Sequence, residues 1–420
     1  MATGRDRFGN LFAPGLPYAR GEILRSTEDD FRKLERAQAV IALRGAEAVF
    51  NFTGLERSLP LASDEIAVAD DELAPALYGE RFRTLGLAHL GGVAARQDVM
   101  LFNRLTAATF ATNLTLVRGG DTVVGVSPTY THPTVIRSAA QAGARFVEAG
   151  GVKGLEAALA SEPRVSLVVL TRLAVTYDLL PLDDVRAVIR LAHAAGARVY
   201  ADDAGGARVG PAIFGQPRTL ELGVDVGATG MDKYGVVGPR LGLLGGEAAL
   251  VAQIRARAYE FGLEARPMLY PAAVRSLAGY TAERVRVLVD TTRTVGEALR
   301  GVFGARVHLT PVTAQLRADD LLALAMERAG LSTPPCVPIE ATAAVAMLLL
   351  EDYGVVTVHF AGMPPGTSSL LVKFVPPETL ERFGGAEALA KAVDSSVDRL
   401  AALLREPAAL RTLLVGARSA

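Results

Sequence analysis

The 420-residue sequence has a single cysteine, Cys336, and no tryptophan. One cysteine excludes an internal disulfide and a thiolate metal cluster, and Cys336 is predicted to be an ordinary small buried side chain. No metal site is predicted. The charges also balance, since 44 Lys and Arg residues against 45 Asp and Glu residues leave a formal net charge of −1. This balance gives no overall attraction to nucleic acid, and we expect no nucleic-acid partner.

Long apolar runs are also missing. The most apolar segment, Ala341–Leu350, lies between two glutamates and is shorter than the about 20 residues that span a bilayer. We therefore predict a buried helix there and no membrane partner. Two arginines and an aspartate occur within the first seven residues, where a secretory signal would begin its apolar core. These features predict a cytoplasmic protein.

Helical and strand-like patterns alternate from Asn103 onward, which is typical of a parallel sheet covered by helices. Short strands are predicted at Thr122–Val126, Arg145–Glu148, Val165–Leu170 and Val199–Ala201. The sequence therefore predicts an α/β fold.

Three regions of the chain are predicted. Residues 1–60 form an N-terminal segment that packs on the smaller domain or on a partner subunit. Residues 61–271 form the large domain, and residues 272–420 form a connector helix and a smaller α+β domain. The connector is predicted over Ala272–Leu299 as one long amphipathic helix, and the strands of the smaller domain are predicted at Arg306–Thr310, Val355–Phe360 and Ser369–Phe374.

Lysine is scarce, with five among the 44 basic residues, and Lys233 lies in an unusual setting. The segment ATGMDKYG (228–235) follows an apolar stretch and precedes the glycine-rich VVGPRLGLLGG (236–246). An amine attacks a carbonyl only when it is deprotonated, and a buried lysine loses its proton more readily than a solvated one. We predict that Lys233 binds an aldehyde cofactor as a Schiff base, while the nearby glycines allow the backbone close approach. The alternative is an exposed loop lysine.

Two segments, VYADDAGGAR (199–208) and ATGMDKYGVVGPRLGLLGG (228–246), together resemble the pyridoxal phosphate enzymes of fold type I. Within that class they are most similar to the branch of bacterial selenocysteine synthase, the L-seryl-tRNA selenium transferase, and its tRNA-independent relatives. The resemblance covers roughly residues 75–375. It implies a large domain with a mostly parallel sheet sandwiched by helices, a smaller α+β domain and pyridoxal 5′-phosphate as cofactor.

The resemblance implies an acid at the pyridine nitrogen of the cofactor. Asp202 and Asp203 follow the strand Val199–Ala201, at the sheet edge where open α/β sheets bind ligands. A carboxylate there would keep the ring nitrogen protonated. Asp202 is favoured because it follows the apolar run directly and precedes Lys233 by 31 residues (233 − 202). Asp203 is the alternative, and one of the two could instead cap a turn.

The resemblance also implies groups that hold the cofactor ring and phosphate. Tyr130 and His132, in SPTYTHP, are the candidates for stacking on the ring, and His132 could instead bond the phenolic oxygen or carry a proton. The phosphate is expected at the start of a helix, where the dipole favours an anion. The candidates for this contact are Arg104, Leu105, Thr106 and Thr229.

The residues that bind substrate are harder to assign. Fold-type-I enzymes often hold the substrate carboxylate with an arginine of the smaller domain, but the matching strand, SSLLVKFVPP, carries Lys373. A lysine cannot make a bidentate fork, so Lys373 could be a surface charge. The other candidates are Arg81, Arg83, Arg240 and His89.

The predicted reaction is elimination or β-replacement on a free amino acid or amino sugar acid, with Lys233 as general base. A small-molecule substrate is favoured because the sequence shows neither a tRNA-binding module nor a basic surface. Other pyridoxal phosphate reactions, namely transamination, racemisation, aldol cleavage and condensation, are alternatives. A non-catalytic tRNA- or protein-binding descendant is a further alternative, which the presence of Lys233 and Asp202 disfavours. The resemblance also implies at least a homodimer, with the N-terminal segment and the Arg81 region near the partner's cofactor.

Overall fold

The computed structural model of the chain describes residues 4–358 and 369–416. Its strands are β1 Phe50–Asn51, β2 Gln97–Phe102, β3 Thr122–Ser127, β4 Arg145–Gly150, β5 Val165–Leu170, β6 Arg198–Asp202, β7 Val226–Gly230, β8 Gly242–Glu247, β9 Val307–Leu309, β10 Thr313–Arg317, β11 Val355–Val356 and β12 Ser369–Lys373. Part of the predicted strand Val355–Phe360 lies outside the described residues.

The helices flank these strands along the chain. They are α1 Thr27–Arg44, α2 Ser63–Ile66, α3 Leu73–Leu90, α4 Leu105–Leu116, α5 Pro133–Gln141, α6 Gly151–Ser161, α7 Leu182–Ala194, α8 Gly206–Phe214, α9 Ala248–Phe261, α10 Tyr270–Ala278, α11 Ala282–Phe303, α12 Ala318–Ala329, α13 Pro338–Tyr353, α14 Pro377–Phe383, α15 Ala386–Leu403 and α16 Pro407–Val415. The described helices include none that is long and apolar enough to cross a membrane.

Seven strands form the main sheet, in the order β2-β8-β7-β6-β5-β3-β4. Strands β3 to β7 pair in parallel, and β8 runs antiparallel to both β2 and β7. Successive residues of β3 face opposite sides, so Val124 and Val126 enter one apolar cluster and Val123 enters another. Because helices cover both faces, the strands are apolar throughout rather than alternating. The predicted α/β fold with a mostly parallel sheet is confirmed.

The chain forms two compact units. One comprises Leu55–Arg286 and contains the seven-stranded sheet, and the other combines the residues before Leu55 with those after Arg286. The second unit contains the antiparallel sheet β12-β10-β9 and the parallel pair β1-β11. Its core is built around α13, which is buried from Pro338 to Leu350, as predicted for the apolar segment.

The predicted single helix Ala272–Leu299 is wrong. It is two helices, α10 and α11, separated by Gly279, Tyr280 and Thr281. The backbone N–H of Arg284 donates to Thr281 Oγ1 at 3.2 Å, so Thr281 caps the start of α11. The periodic apolar pattern continues across the break, which is why the pattern alone did not indicate it.

Strand β8 was missed for a different reason. Its sequence, GLLGGE, has a low strand propensity because three of its six residues are glycine. A Cβ atom at Gly246 would collide with the backbone oxygen of Asp225, so close packing of the strand, rather than propensity, accounts for glycine there.

Candidate active site

Three polar side chains lie where adjacent strands of the main sheet end. Ser127 is the last residue of β3, Thr171 follows β5 directly, and Asp202 is the last residue of β6. Ser127 Oγ, Thr171 Oγ1 and Asp202 Oδ1 are all buried and have no hydrogen-bond partner within residues 4–358 and 369–416. Buried polar atoms are normally hydrogen-bonded, so three such atoms at the carboxyl edge mark a ligand site. The sequence predicted Asp202 but not Ser127 or Thr171, whose only signal is their position at strand ends.

Asp202 is 7% exposed. Burial raises the pKa of its carboxyl to about 6, the charge of Lys233 opposes this rise, and the charge of Asp203 adds to it. A buried carboxylate in this setting is stabilised by a cationic partner. The protonated nitrogen of a pyridine ring would be such a partner.

Asp203 is engaged by other side chains. Arg172 donates to both of its oxygens, from Nε to Oδ1 at 3.0 Å and from Nη2 to Oδ2 at 2.8 Å, and Thr219 Oγ1 donates to Oδ2 at 2.6 Å. The side chains of Arg172 and Asp203 are each 1% exposed. Of the two aspartates, Asp202 is therefore the one with a carboxylate oxygen open to a ligand.

Lys233 begins a tight turn. The N–H of Val236 donates to the carbonyl of Lys233 at 3.2 Å, and the two residues between them have positive φ, 48° at Tyr234 and 85° at Gly235. Positive φ at both central positions defines a type I′ turn. A Cβ atom at Gly230 would lie 2.6 Å from Lys233 Cε, so the lysine side chain occupies the space that a side chain at position 230 would need.

The electrostatic surroundings of Lys233 favour the free amine. Burial lowers the pKa of Lys233 against the opposing charge of Asp232, and the charges of Arg240 and Arg57 lower it further. A lowered pKa increases the fraction of amine that can attack an aldehyde.

Two tyrosines connect the lysine turn to the loop that follows β5. The hydroxyls of Tyr177 and Tyr234 are hydrogen-bonded, and the two rings meet edge to face with centroids 6.1 Å apart. Both residues are buried and both have positive φ, 67° at Tyr177 and 48° at Tyr234. Bulky residues rarely adopt this conformation. The ring of Tyr234 lies over Gly205, where a Cβ atom would be 2.8 Å from Tyr234 Cε2.

The segment 55–58 pairs with residues 233–238, the lysine loop, and the sequence did not predict this pairing. Leu55 bridges Lys233, and Gly238 exchanges 3.1 Å backbone hydrogen bonds with Glu56 and Ser58. This pairing brings Arg57 to Asp232, with Nε 2.9 Å from Oδ2. The two residues are 175 positions apart in the chain, and no local pattern relates them.

Arg57, Arg104 and Arg240 form a cationic cluster beside the lysine loop. Burial lowers the pKa of Arg240 to about 10, and the charges of Arg57 and Arg104 add to this effect. Arg104 is the N-cap residue of α4, and a Cβ atom at Gly242 would lie 2.8 Å from its carbonyl oxygen. No side chain in the described part of the chain caps α4, so its first N–H groups are available to an anion. The predicted phosphate residues Leu105 and Thr106 occupy this first turn.

His132 lies near Lys233 and is neutral. It is the N-cap residue of α5, and its Nδ1 accepts a hydrogen bond from the N–H of Thr134 at 3.1 Å. Burial lowers the pKa of His132 to about 4, and the charge of Lys233 contributes. Since Nδ1 is an acceptor, the proton of the neutral ring is on Nε2. Tyr130 is half-buried in the same loop, which Thr131 anchors by a 2.8 Å hydrogen bond to Glu148.

Other predicted residues lie elsewhere. Thr229 Oγ1 is used within the protein, since it donates to the carbonyl of Ala204 at 3.2 Å and accepts from Arg208 at 3.1 Å. Arg83 binds Asp98 at 3.1 Å, and no described contact joins it to the lysine turn. Arg81 is exposed on α3.

The last two candidates for substrate binding are His89 and Lys373. The ring of His89 packs edge-on against Tyr280, with centroids 4.7 Å apart, and no described contact joins it to Lys233. Lys373 belongs to the second unit and is 4% exposed at the end of β12. The interpretation of Lys373 as a surface charge is therefore wrong.

Comparison with known proteins identifies relatives over most of the chain. No family model matches. A "UPF0425 pyridoxal phosphate-dependent protein" of Methanothermobacter thermautotrophicus is 31% identical over 353 residues, which are 83% of this chain and 88% of that protein. Among solved structures, Sphingomonas wittichii serine palmitoyltransferase is similar with a TM-score of 0.58 and 17% identity, covering 84% of this chain and 88% of that one.

A second solved structure has the same similarity score. It is a chain of the complex between SepCysS and the N-terminal domain of SepCysE, with a TM-score of 0.58 and 15% identity, covering 87% of this chain and 99% of that one. At these identities both structures support the fold alone.

Proposed function

The chain belongs to the family of UPF0425 pyridoxal phosphate-dependent proteins, and we propose that it is an enzyme that eliminates or replaces a group at Cβ of a free amino acid or amino sugar acid. Membership in this family gives pyridoxal phosphate as the cofactor, as predicted from the sequence. The fold is that of fold type I, also as predicted. One observation carries the proposed activity: a buried lysine with a lowered pKa lies near a buried aspartate whose Oδ1 has no partner among the described residues.

The residues present fit this cofactor. Lys233 would bind the aldehyde, and the open Oδ1 of Asp202 would accept a hydrogen bond from the pyridine nitrogen. The uncapped start of α4 with Arg104 would hold the phosphate, and His132 would lie at the ring. When bound, pyridoxal phosphate withdraws electrons from Cα of the substrate.

The protein's own groups can carry the protons that such a reaction needs. Once an incoming amine displaces Lys233, its free amine can accept the proton from Cα, because the surroundings already lower its pKa. The same amine can then donate that proton to the group leaving Cβ. His132, neutral with a proton on Nε2, is a second donor near Lys233. Two proton carriers at one site support elimination and replacement, in which a proton leaves Cα and another reaches the leaving group.

Arg240 is the best candidate for the substrate carboxylate. It belongs to the cationic cluster beside Lys233, whereas Arg57 already binds Asp232 and Arg104 lies at the proposed phosphate site. Its planar guanidinium can hold a carboxylate in a bidentate manner.

The test is a product assay of the purified holoprotein with serine, O-acetylserine and β-chloroalanine. We expect a keto acid and ammonia from at least one of them, at a rate that Lys233→Ala reduces by about 10⁴-fold or more, since it removes both the covalent attachment and the base. Conversion of the cofactor to its pyridoxamine form would instead indicate transamination. A holoprotein whose visible spectrum does not change with any amino acid would contradict an enzymatic role.

A further inference from the structure

Arg208 is a fully buried arginine with little hydrogen bonding. It lies in the first turn of α8, its side chain is 0% exposed, and its Nη1 donates to Thr229 Oγ1 at 3.1 Å. Its Nε and Nη2 are both buried and find no partner in the ranges that the structure describes. Burying a guanidinium with two unsatisfied donors is costly unless something accepts from them.

The two unsatisfied donors form one edge of the guanidinium. Nε and Nη2 point the same way and match the two oxygens of a carboxylate. The chain contains an example of this pairing, because Arg172 uses its Nε and Nη2 to bind both oxygens of Asp203, at 3.0 and 2.8 Å. Arg208 presents the same edge without a carboxylate of the described chain against it.

The nearest carboxylates are engaged elsewhere. Burial lowers the pKa of Arg208 to about 10, and the charges of Tyr280, Asp232 and Asp203 oppose this effect, which places both aspartates in its surroundings. Asp203 is bound by Arg172, and Asp232 is bound by Arg57.

A second donor lies close to Arg208. His89 Nε2 is buried and has no hydrogen-bond partner among the residues described. Burial lowers the pKa of His89 well below its usual value, and the charge of Arg208 contributes, so the imidazole is neutral. A neutral imidazole protonated on Nε2 can donate to an anion. The ring of Tyr280 packs against His89 on one side.

This cluster lies on the opposite side of the main sheet from the cofactor site. Asp202 pairs with Ala228, so their side chains face the same side of the sheet. Thr229 is the next residue of β7 and faces the other side, where it binds Arg208. The contact of Arg208 with Thr229 therefore lies on the face opposite Asp202, while Asp232 and Tyr234 place Arg208 next to the lysine turn.

We propose that Arg208 and His89 form a binding site for a small carboxylate. The Nε and Nη2 edge of Arg208 holds both carboxylate oxygens, and His89 Nε2 donates to one of them. Because Arg208 is fully buried and His89 is half-buried, we take a small planar monoanion, of the size of formate, as the ligand. The proposal does not depend on the reaction assigned to Lys233.

Thermal unfolding tests this site. The holoprotein, saturated with cofactor, is dialysed into a buffer free of carboxylates, and its Tm is followed during titration with sodium formate and with sodium chloride at equal ionic strength. We expect formate to raise Tm by a few degrees in a saturable manner, beyond the effect of chloride, because a ligand of the native state stabilises it. Arg208→Gln should abolish this difference, and Arg190→Gln, at an exposed position on α7, should preserve it.

Two further variants keep the test decisive if Arg208→Gln does not fold. Arg208→Lys retains the charge but lacks the two-donor edge, and it should lose the formate response. His89→Phe keeps a ring against Tyr280 and should weaken the apparent affinity for formate several-fold. A formate response equal to that of chloride, or one unchanged in the Arg208 variants, would overturn the proposal.

Discussion

Asp202 and Asp203 are adjacent in the chain but have opposite electrostatic surroundings. Asp203 is bound on both oxygens by Arg172 and by Thr219, whereas Asp202 Oδ1 has no described partner. A buried charge without a partner destabilises the fold, so removing that charge stabilises it. Removing one member of a buried ion pair destabilises the fold, because the other charge is left without a partner. The apoprotein should therefore respond oppositely to the same substitution at the two positions.

We predict that Asp202→Asn stabilises the apoprotein and that Asp203→Asn destabilises it. The pKa of Asp202 in the folded protein is about 6, above its ordinary value of 3.8. Protonated Asp202 therefore favours the folded state at low pH, and this contribution is lost as the pH rises from 3.8 to 6. Above pH 6, Asp202→Asn should gain on the order of 1–3 kcal/mol. Asp203→Asn leaves Arg172 unpaired and should lose about 3–5 kcal/mol.

Urea unfolding of the two apoproteins at pH 5 and pH 8 measures both effects. The gain from Asp202→Asn should be larger at pH 8, and the same variant should bind pyridoxal phosphate more weakly. Equal losses from both substitutions at pH 8 would contradict the assignment of Asp202 as the open carboxylate.

At the scale of elements, the lysine turn combines features that the sequence reveals with others that it does not. The glycines at positions 230 and 235 are visible in the sequence, and the structure explains both. The side chain of Lys233 passes over Gly230, and Gly235 has a φ of 85°. The pairing of segment 55–58 with the turn is not visible, because Arg57 and Asp232 come from distant parts of the chain. Strand β8 is hidden because packing requires glycines that lower its propensity.

Gly230→Ala should produce a folded protein with impaired cofactor binding. The added methyl group would lie 2.6 Å from Lys233 Cε, and the flexible lysine side chain can move aside at little cost to the fold. The displaced amine would no longer reach the aldehyde. We expect an unfolding free energy within about 1 kcal/mol of wild type and at least a 10-fold weaker affinity for pyridoxal phosphate, measured by absorbance titration. Gly79→Ala, at an open position inside α3, is the control that should leave the cofactor affinity nearly unchanged and raise the unfolding free energy by about 0.5–1 kcal/mol.

The hydrogen bond between Tyr177 and Tyr234 should position the lysine turn. Tyr234 occupies a strained backbone conformation, and its ring and hydroxyl link the turn to the loop after β5. Phe at either position keeps the ring and removes the bond between hydroxyls. We predict that each variant shifts the pKa of the visible cofactor chromophore and that the double variant shifts it no further.

A pH titration of the visible absorbance of the holoproteins measures this coupling, and the Tm of the apoproteins reports the fold. A purely structural role would lower Tm and leave the chromophore unchanged. Additive shifts in the double variant would show that the two hydroxyls act independently.

At the scale of the whole molecule, the first unit exposes a run of apolar side chains. Leu59, Ile66, Leu73 and Leu77 are each 48–63% exposed. Four exposed apolar side chains within 19 residues of the chain favour an interaction surface in this segment. The division of the chain at Arg286 falls inside α11, so neither a loop nor a change in composition marks it in the sequence.

We predict that the protein is at least a dimer and that this apolar run contributes to the interface. Sedimentation velocity should show a dimer or larger assembly for wild type and a shift toward monomer for Ile66→Glu combined with Leu77→Glu. Val302→Glu places one such charge at an exposed valine of α11 and should leave the assembly unchanged. A fully active wild-type monomer would contradict the prediction.

Borohydride reduction followed by peptide mapping tests most directly whether Lys233 holds the cofactor. We predict that reduction of the holoprotein fixes one pyridoxyl group per chain on the peptide that contains Lys233. Lys153→Ala, at an exposed lysine of the same unit, should retain the label, and Lys233→Ala should lose both the label and the visible absorption. A label on another lysine, or an unchanged adduct in Lys233→Ala, would contradict the role of Lys233.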